Sequence, residues 1–456
     1  MEPQRQKGAN ESLAALPAQN QLESLPIFSH REAILEHVRT HRVTHIQGET
    51  GCGKSTQVPK YIMEDALARQ DRDPKIVVTQ PRRMAAVSLA RRCAAELGEE
   101  VGKTVGYKIS GDSVSGKLCF ATTGFLLQVL VNQPEEFGTY THIILDEVHE
   151  RSVDADLLTM LLKLLMQCYI QVKLIVMSAT LQAEVFAQYF ASLEARYLGG
   201  SAGQALEVKP LFVGVRTFPV EIIFLDELED HFCISGGQAR QGLEMALEGF
   251  SKGRTKGKGK SKKNRGIDGA ASGFLRSEPK LVEGLDWVCK ELIQQMATEK
   301  CTLVVFLPGI ADITAFYETL SPLESRPGAD TTLRIFPMHS LIPREEQEEV
   351  FRPPPRGTCH VVLASNVAES SLTLPSVSGV IDMSLRRSLE YDSRRLISCL
   401  VTTWCSQSSC KQRSGRAGRT MPGRAVRMVT RSFFEDEMIE FDPPDMMSAP
   451  LTRLFL

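Results

Sequence analysis

Short, continuously apolar runs recur along this chain. Between them lie stretches whose apolar positions fall three and four apart, and each apolar run ends in a polar cluster. Val43-Thr-His-Ile-Gln47 is a β-prone run that feeds a glycine-rich loop, and Gln57–Arg69 behind that loop reads as a helix with Pro59 in its first turn. Further on, the strand Lys75–Thr79 precedes the helix Ala85–Leu97, and Lys117–Ala121 precedes Phe125–Asn132. Tyr140–Leu145 precedes Asp154–Cys168, and the strand Val172–Met177 follows. Ahead of them all, Leu25 to Val38 reads as a capped helix. A second series opens after Val215, with Arg216-Thr-Phe-Pro219 as connector. Its strands are Val220–Leu225, Thr302–Leu307, Thr332–Pro337, Cys359–Ala364, Gly379–Asp382 and Arg424–Val429, with a helix at Leu281–Ala297. Continuous rather than alternating apolar strands predict an α/β fold: two successive units, each a mostly parallel sheet with helices on both faces. The polar clusters fall at the carboxyl ends of the strands, where open α/β sheets bind ligands.

The first cluster is the most informative. Gly48-Glu49-Thr50-Gly51-Cys52-Gly53-Lys54-Ser55-Thr56 has the form G-x-x-x-x-G-K-[ST] between a strand and a helix, the context a phosphate-binding loop requires. The glycines allow a tight turn whose N–H groups converge on an anion, and the helix adds its positive end. Lys54 would reach the β- and γ-phosphates, and the Ser55 hydroxyl would hold Mg²⁺. Downstream, Asp146 and Glu147 close a strand. Asp146 would complete the Mg²⁺ shell opposite Ser55. Glu147, also counted with the metal-binding groups, would orient or deprotonate the attacking water. His149, Ser178 and Thr180 are expected to form a hydrogen-bonded relay away from the nucleotide.

Composition narrows the class. With 456 residues, 43% hydrophobic and 24% charged, the chain can build two or three ordinary globular cores. No apolar run approaches a membrane span, and Met1–Glu23 is polar without a signal-peptide core. Residues 1–24 lack periodic hydrophobicity and are expected to be disordered. The eleven cysteines show no C-x-x-C pair or Cys/His metal spacing and read as buried or incidental thiols in a reducing compartment, cytoplasm or nucleus. Eight cations crowd between Lys252 and Arg265, and removing them from a net charge of −2 leaves −10. Any nucleic-acid groove must therefore be a local basic surface. The Lys/Gly/Ser-rich stretch 251–273 that holds them reads as a flexible insertion, a solvated tether in preference to an RNA-binding arm.

Read together, the clusters resemble the DEAH-box RNA helicases of helicase superfamily two. The resemblance rests on the phosphate loop, Thr79-Gln-Pro-Arg-Arg83, Thr122-Thr-Gly124, Asp146-Glu-Val-His149-Glu-Arg151 and Ser178-Ala-Thr180. It continues through Phe306-Leu-Pro-Gly309, Met338-His-Ser340, Ser365-Asn-Val-Ala-Glu-Ser-Ser-Leu-Thr373 and Gln412-Arg413-Ser414-Gly415-Arg416-Ala417-Gly418-Arg419. Nine blocks in order span roughly residues 25 to 449. Asn366-Val-Ala-Glu-Ser-Ser, Leu374-Pro375-Ser-Val377 and Trp404-Cys-Ser-Gln-Ser-Ser-Cys-Lys-Gln-Arg413 resemble the Spindle-E-type group of tudor-domain helicases, although no tudor domain occurs in these 456 residues.

The resemblance implies two tandem RecA-like domains, 25–215 for ATP binding and 216–449 as the helicase C-terminal domain, with ATP (or other nucleoside triphosphates) and Mg²⁺ between them. It implies that Gln412 positions the hydrolytic water, and that Arg416 and Arg419 act as arginine fingers in a loop that Gly415 and Gly418 keep open. Arg92 and Phe351 would sandwich the base, and Asp382 would lie near the nucleotide. Single-stranded RNA or an RNA–protein complex would meet Arg82, Arg83, Thr123, Gly124, Gly309, Ser340, Asn366 and Ser371 through backbone contacts. Residues Arg386–Val401 would form the β-hairpin beside the RNA path. The expected protein is monomeric and off the membrane, moves 3′ to 5′, and is compatible with a protein activator. Two departures stand out. Gly106-Tyr107-Lys108-Ile109-Ser110-Gly111 replaces the Gly-Tyr-x-Val-Arg-Phe of similar proteins. Residues 450–456 mark where the family's winged-helix, ratchet and OB-fold tail begins, so the ATPase core is expected to survive and processive unwinding is not. The competing readings are a non-hydrolysing RNA-binding scaffold, a core ATPase that cannot unwind, a motor unrelated to nucleic acid, and a DNA-directed enzyme.

Overall fold

The computed structural model describes residues 25–48, 51–69, 73–179, 183–197, 209–213, 218–257, 284–324, 331–338, 348–366, 369, 374–392, 397–419 and 421–447. The expectations for residues 1–24, for 258–273 and for 450–456 lie outside them. The chain divides into two compact units, Met1–His149 with Leu157–Val215, and Glu150–Asp156 with Arg216–Leu456.

The first unit is built on eight strands: β1 (Val43–Gln47), β2 (Ile76–Gln80), β3 (Val105–Ile109), β4 (Asp112–Val114), β5 (Leu118–Thr122), β6 (His142–Leu145), β7 (Lys173–Ser178) and β8 (Leu211–Phe212). Their spatial order is β4-β3-β5-β2-β6-β7-β1-β8, parallel throughout except for the β3–β4 pair. Both faces are buried, as the unbroken apolar runs demand. Ile76, Val78, Ile144, Ile175 and Met177 enter one core, and Val77, Ile143, Leu145, Leu174 and Val176 enter the other. Helices cover them, among them α1 (Arg31–Thr40), α2 (Lys54–Arg69), α3 (Arg83–Glu96), α4 (Thr123–Asn132), α5 (Val153–Cys168) and α6 (Ala183–Tyr197).

Three details of this unit differ from expectation. Helix α2 begins at Lys54, so Pro59 sits inside the helix rather than in its first turn, where its missing N–H forgoes one helical bond. The Leu25–Val38 stretch is a 3₁₀ turn, Pro26–His30, leading into α1, and neither start carries a side-chain cap. The β3–β4 edge and the short β8 have no apolar run to announce them. Glycine allows the edge to form: a Cβ on Gly106 would stand 2.2 Å from the Val114 carbonyl, and one on Gly116 would stand 2.3 Å from the Gly106 nitrogen.

The second unit holds six parallel strands: β9 (Val220–Phe224), β10 (Thr302–Phe306), β11 (Thr332–Met338), β12 (Thr358–Ala364), β13 (Val377–Asp382) and β16 (Gly423–Arg427), ordered β11-β12-β10-β13-β16-β9. Strands β14 (Leu385–Asp392) and β15 (Ile397–Trp404) form the expected hairpin, with Leu385 opposite Trp404 and Asp392 opposite Ile397. A helix, α7 (Gly237–Gly257), was not predicted, and it runs into the stretch read as a flexible insertion from Ser251. Its apolar stripe explains it. Ala239, Leu243 and Ala246 are buried, and Phe250 packs 5.7 Å from Trp404 and 4.9 Å from Phe433, ring centre to ring centre. Near its start α7 crosses the head of α8 (Leu285–Met296) so closely that a Cβ on Gly242 would lie 2.0 Å from the Gly284 carbonyl.

Candidate active site

Strand β1 delivers the chain into the phosphate loop, and α2 leaves it. Gly51 (φ 92°) and Gly53 (φ 100°) are both left-handed, a region that bars most side chains. Gly53 also lacks room, since a Cβ would stand 2.9 Å from Ile27 Cγ2. The loop is tied to the neighbouring strand by the Gly48 N–H, which donates to the Ser178 carbonyl over 3.1 Å. Lys54 is buried, with its ammonium turned into the loop onto the Gly48 carbonyl and 3.6 Å from Cys52 Sγ. A buried cation at the N-terminus of a helix suits an anion. Cys52 and Thr56 are buried in and behind the loop, and Ser55 is the second residue of α2. Glu49 and Thr50 lie outside the described residues.

Sheet order then brings the acidic pair alongside, because β7 separates β6 from β1 and all three point the same way. Asp146 is buried at the end of β6. Its Oδ2 accepts from Gln80 Nε2 at 2.7 Å, its Oδ1 accepts from the Glu147 N–H at 2.9 Å, and the Ser55 hydroxyl bonds to the carboxylate. Burial and the Glu147 charge push its pKa up to about 6, while Ser55, Lys54 and Gln80 pull it down. Hydroxyl and carboxylate oxygens facing each other suit a hard cation such as Mg²⁺. Among the described residues no three His, Cys, Asp or Glu side chains cluster to hold a metal, so water and phosphate oxygens would complete its shell.

Glu147 adopts φ 54°, a left-handed conformation that non-glycine residues rarely take and that clusters at functional sites. His149 Nε2 lies 3.5 Å from Glu147 Oε2. His149 Nδ1 accepts from the Ala179 N–H at 3.3 Å, which places the proton of a neutral ring on Nε2, facing Glu147. A contact with the Ser178-Ala-Thr180 segment runs through the Ala179 backbone, and the Ser178 carbonyl is engaged by the phosphate loop. Thr180 lies outside the described residues.

Candidate RNA contacts of this unit gather at the ends of β2 and β5, which are neighbours with Gln80 opposite Thr122. Arg82 stands at the N-cap position of α3, Arg83 is exposed in its first turn, and Thr123 and Gly124 open α4. Two helix N-termini side by side with two arginines suit phosphates. Thr123 is buried, and its hydroxyl donates to the Gln80 carbonyl at 3.2 Å, tying the start of α4 to the end of β2. Arg92 lies outward on α3, its Nε 3.2 Å from Glu96 Oε1.

In the second unit, α10 (Gln407–Ser414) carries a partly exposed Gln412 and leads into the turn holding Arg416 and Arg419. That turn is not open. A Cβ on Gly418 would stand 2.7 Å from Val220 Cγ2 and 2.8 Å from the Phe218 carbonyl, so glycine here permits close packing. Arg416 is buried, with its Nε donating to the Glu369 carbonyl at 3.1 Å. Asp382 is wholly enclosed, and its Oδ1 accepts from Arg413 and from the Ser384 N–H, each at 2.8 Å. The Arg413 bond ties Asp382 at the end of β13 to α10. Gly309 starts α9 (Ile310–Leu320) against the stem of Arg387, Asn366 is exposed beyond β12, and Phe351 is 38% exposed. Ser340 and Ser371 lie outside the described residues. Gln80 and Arg413 were not among the sequence candidates. Both stand inside motifs already quoted, but their partners are far away in the chain.

A DEAD/DEAH box helicase family model matches residues 20–188, and a helicase conserved C-terminal domain model matches residues 283–421. The chain is 36% identical over 445 residues to a protein named probable ATP-dependent RNA helicase spindle-E from Aedes aegypti, covering 95% of this chain and 30% of that one. It is 30% identical over 479 residues to the DExH-box ATP-dependent RNA helicase DExH1 of Arabidopsis thaliana, covering 100% and 45% respectively. Among solved structures it matches the Escherichia coli DEAH/RHA helicase HrpB, with 27% identity, a TM-score of 0.71, and coverage of 94% of this chain and 46% of that one. The chain thus spans less than half the length of these relatives. Its fold is two tandem helicase domains of RecA-like type, and the chain belongs to the DExH/DEAH-type helicase family.

Proposed function

We propose that this chain is an RNA-stimulated nucleoside triphosphatase that couples ATP hydrolysis to 3′-to-5′ translocation on, or remodelling of, RNA or RNA–protein complexes. Residues 25–215 would take the triphosphate, and residues 216–449 would supply Gln412, Arg416 and Arg419 to it. The observation that carries this reading is the meeting of Lys54, Ser55, Asp146 and Glu147 at the ends of β1 and β6, either side of β7, with the Ser55 hydroxyl on the Asp146 carboxylate. The loop N–H groups and Lys54 bind and orient the phosphates. Ser55 and Asp146 would hold Mg²⁺, which when bound offsets phosphate charge. Glu147, steadied by His149, takes a proton from the attacking water, which Gln412 orients. Arg416 and Arg419 offset the charge that develops on the transferred group, an effect worth roughly 10³–10⁵ in rate in related phosphoryl-transfer enzymes. Arg92 and Phe351 stack on the base without reading its edge, so other triphosphates should substitute for ATP. Arg82, Arg83, Gly124, Gly309 and Asn366 suit phosphates and 2′-hydroxyls, which gives binding without base preference.

Phosphate release measured with and without poly(U), for the wild type and Glu147→Gln, tests the reading. The variant should bind fluorescent ATP as the wild type does and lose turnover by about 10²–10⁴. Normal hydrolysis by Glu147→Gln overturns the assignment of the base. RNA binding without any wild-type hydrolysis favours the scaffold reading. Hydrolysis indifferent to RNA favours a motor unrelated to nucleic acid, and stimulation by matched DNA alone would identify a DNA enzyme.

A further inference from the structure

The last turns of α3 are fastened to the first turns of α2. Cys93 is fully buried, and its thiol donates to the Thr56 carbonyl at 3.7 Å. Three residues on, Glu96 Oε2 accepts from Gln57 Nε2 at 2.9 Å and from Lys60 Nζ at 3.0 Å. Gln57 Nε2 also donates to Thr56 Oγ1 at 3.1 Å. The other oxygen of the same carboxylate, Oε1, accepts from Arg92 Nε at 3.2 Å. Gln57, Lys60, Cys93 and Glu96 all lie outside the nine sequence blocks that carry the family resemblance.

An exposed Arg–Glu pair four residues apart on a helix is common and contributes little. This pair differs in its acid. The Glu96 side chain is 1% exposed, whereas that of Arg92 is 47% exposed. Gln57 and Lys60 fix the carboxylate through Oε2, so Oε1 has one direction left, and there it takes Arg92 by the Nε edge. A bond at Nε occupies one edge of the planar guanidinium and leaves its flat faces for stacking. The anchor is also short. Gln57 stands two residues beyond Ser55, so one buried carboxylate connects the phosphate-binding end of α2 to the Arg92 plane. Balancing the Lys60 charge does not require this arrangement, because Oε2 alone meets that ammonium.

We propose that Glu96 is a positioning residue, which holds the Arg92 plane at a fixed place relative to the phosphate loop and so sets how much the base adds to nucleotide affinity. It acts on the base, not on the phosphates or the chemical step. The inference rests on the reading above in which Arg92 stacks on the base. The test displaces fluorescent ATP from the full chain with ATP and with inorganic tripolyphosphate, which has no base, and measures turnover at saturating ATP. In Glu96→Gln the amide oxygen still meets two donors, Gln57 and Lys60, which turns the amide N–H₂ against the Arg92 Nε–H. ATP affinity should fall about fivefold, the share a cation stacked on a ring contributes, while tripolyphosphate affinity and saturated turnover stay within about twofold. Arg92→Ala should weaken ATP binding by at least as much. Adding Glu96→Gln to it should cost nothing further, because the carboxylate acts through that side chain. Equal losses for ATP and tripolyphosphate overturn the inference, since they mark a general effect on the phosphate loop. Undiminished ATP affinity in Glu96→Gln, or losses that multiply in the double variant, also overturn it, and both leave the ATPase reading intact. Should circular dichroism show Glu96→Gln unfolded, Glu96→Asp, which keeps the charge and shortens the arm, decides by the same criteria. If Arg92→Ala binds ATP as the wild type does, the base-stacking assignment falls and this inference with it.

Discussion

Residue 147 holds a backbone conformation that L-residues avoid, φ 54°, at the point where the acidic pair turns off its strand. Such strain of roughly 1–3 kcal/mol persists only where the surroundings over-determine it, and here Asp146 Oδ1 fixes the Glu147 N–H while His149 meets its carboxylate. The type and spacing of Asp146 and Glu147 were legible from the sequence, because a strand end beside a phosphate loop needs those groups. The backbone twist was not, since nothing local in Leu145-Asp-Glu-Val148 demands it. Gln80 illustrates the same limit. It lies 66 residues from Asp146, and only the β2–β6 pairing brings its amide to the carboxylate. Outer partners of metal-binding carboxylates typically alter metal affinity by about 10- to 100-fold. Gln80→Ala should therefore raise the Mg²⁺ concentration for half-maximal ATPase activity by that factor, with ATP saturation measured in parallel as the control.

Between elements, the phosphate-loop helix α2 is pinned to α3 by one buried carboxylate. Glu96 Oε2 accepts from Lys60 Nζ at 3.0 Å and from Gln57 Nε2 at 2.9 Å, while Arg92 reaches Oε1. The Glu96 and Lys60 side chains are only 1% and 8% exposed. Burial alone would raise the Glu96 carboxyl, but the bonds from Lys60 and Gln57, with the Lys60 charge, bring it below its ordinary value. A depressed carboxyl adds stability that is complete above its unfolded value and disappears as pH falls through the folded one. Glu96→Ala strands the Lys60 ammonium and should destabilise the first unit by about 3–5 kcal/mol in urea melts near neutral pH. Helix and strand identities in this layer followed from apolar periodicity. The exceptions were a polar edge held by Gly106 and Gly116, the short β8, helices α6, α9 and α10, and helix α7, whose stripe of Ala239, Leu243, Ala246 and Phe250 was readable but lay beside a lysine-rich run.

For the molecule as a whole, the buried histidines set the acid limit. Burial pushes His45 down to about 3 and His142 to about 4, both in the first unit. His37 is likewise down to about 4. A lowered histidine is neutral when folded and charged when unfolded below about pH 6.5, so stability is complete above that value and falls as pH drops toward 4. His45 and His142 should each contribute a slope of about 1.4 kcal/mol per pH unit across this window. Neither ring nitrogen of His45 has a hydrogen-bond partner among the described residues. His45→Leu should thus raise the melting temperature at neutral pH and flatten its decline between pH 6.5 and 5, as followed by circular dichroism. The architecture of each unit was legible from the order of motifs, because parallel strands put their carboxyl ends on one side of their own sheet. The close crossing at Gly242 and Gly284 has its own consequence for the basic stretch. Helix α7 continues fifteen residues past Gly242, which at about 1.5 Å per residue carries its end roughly 22 Å from the crossing. An extended chain covers that distance in about seven residues, yet residues 258–283 are available to return. Excising 262–273 would still leave fourteen residues to join Gly257 to Gly284, roughly 46 Å at about 3.3 Å per residue, so it should leave the denaturant midpoint of the second unit unchanged.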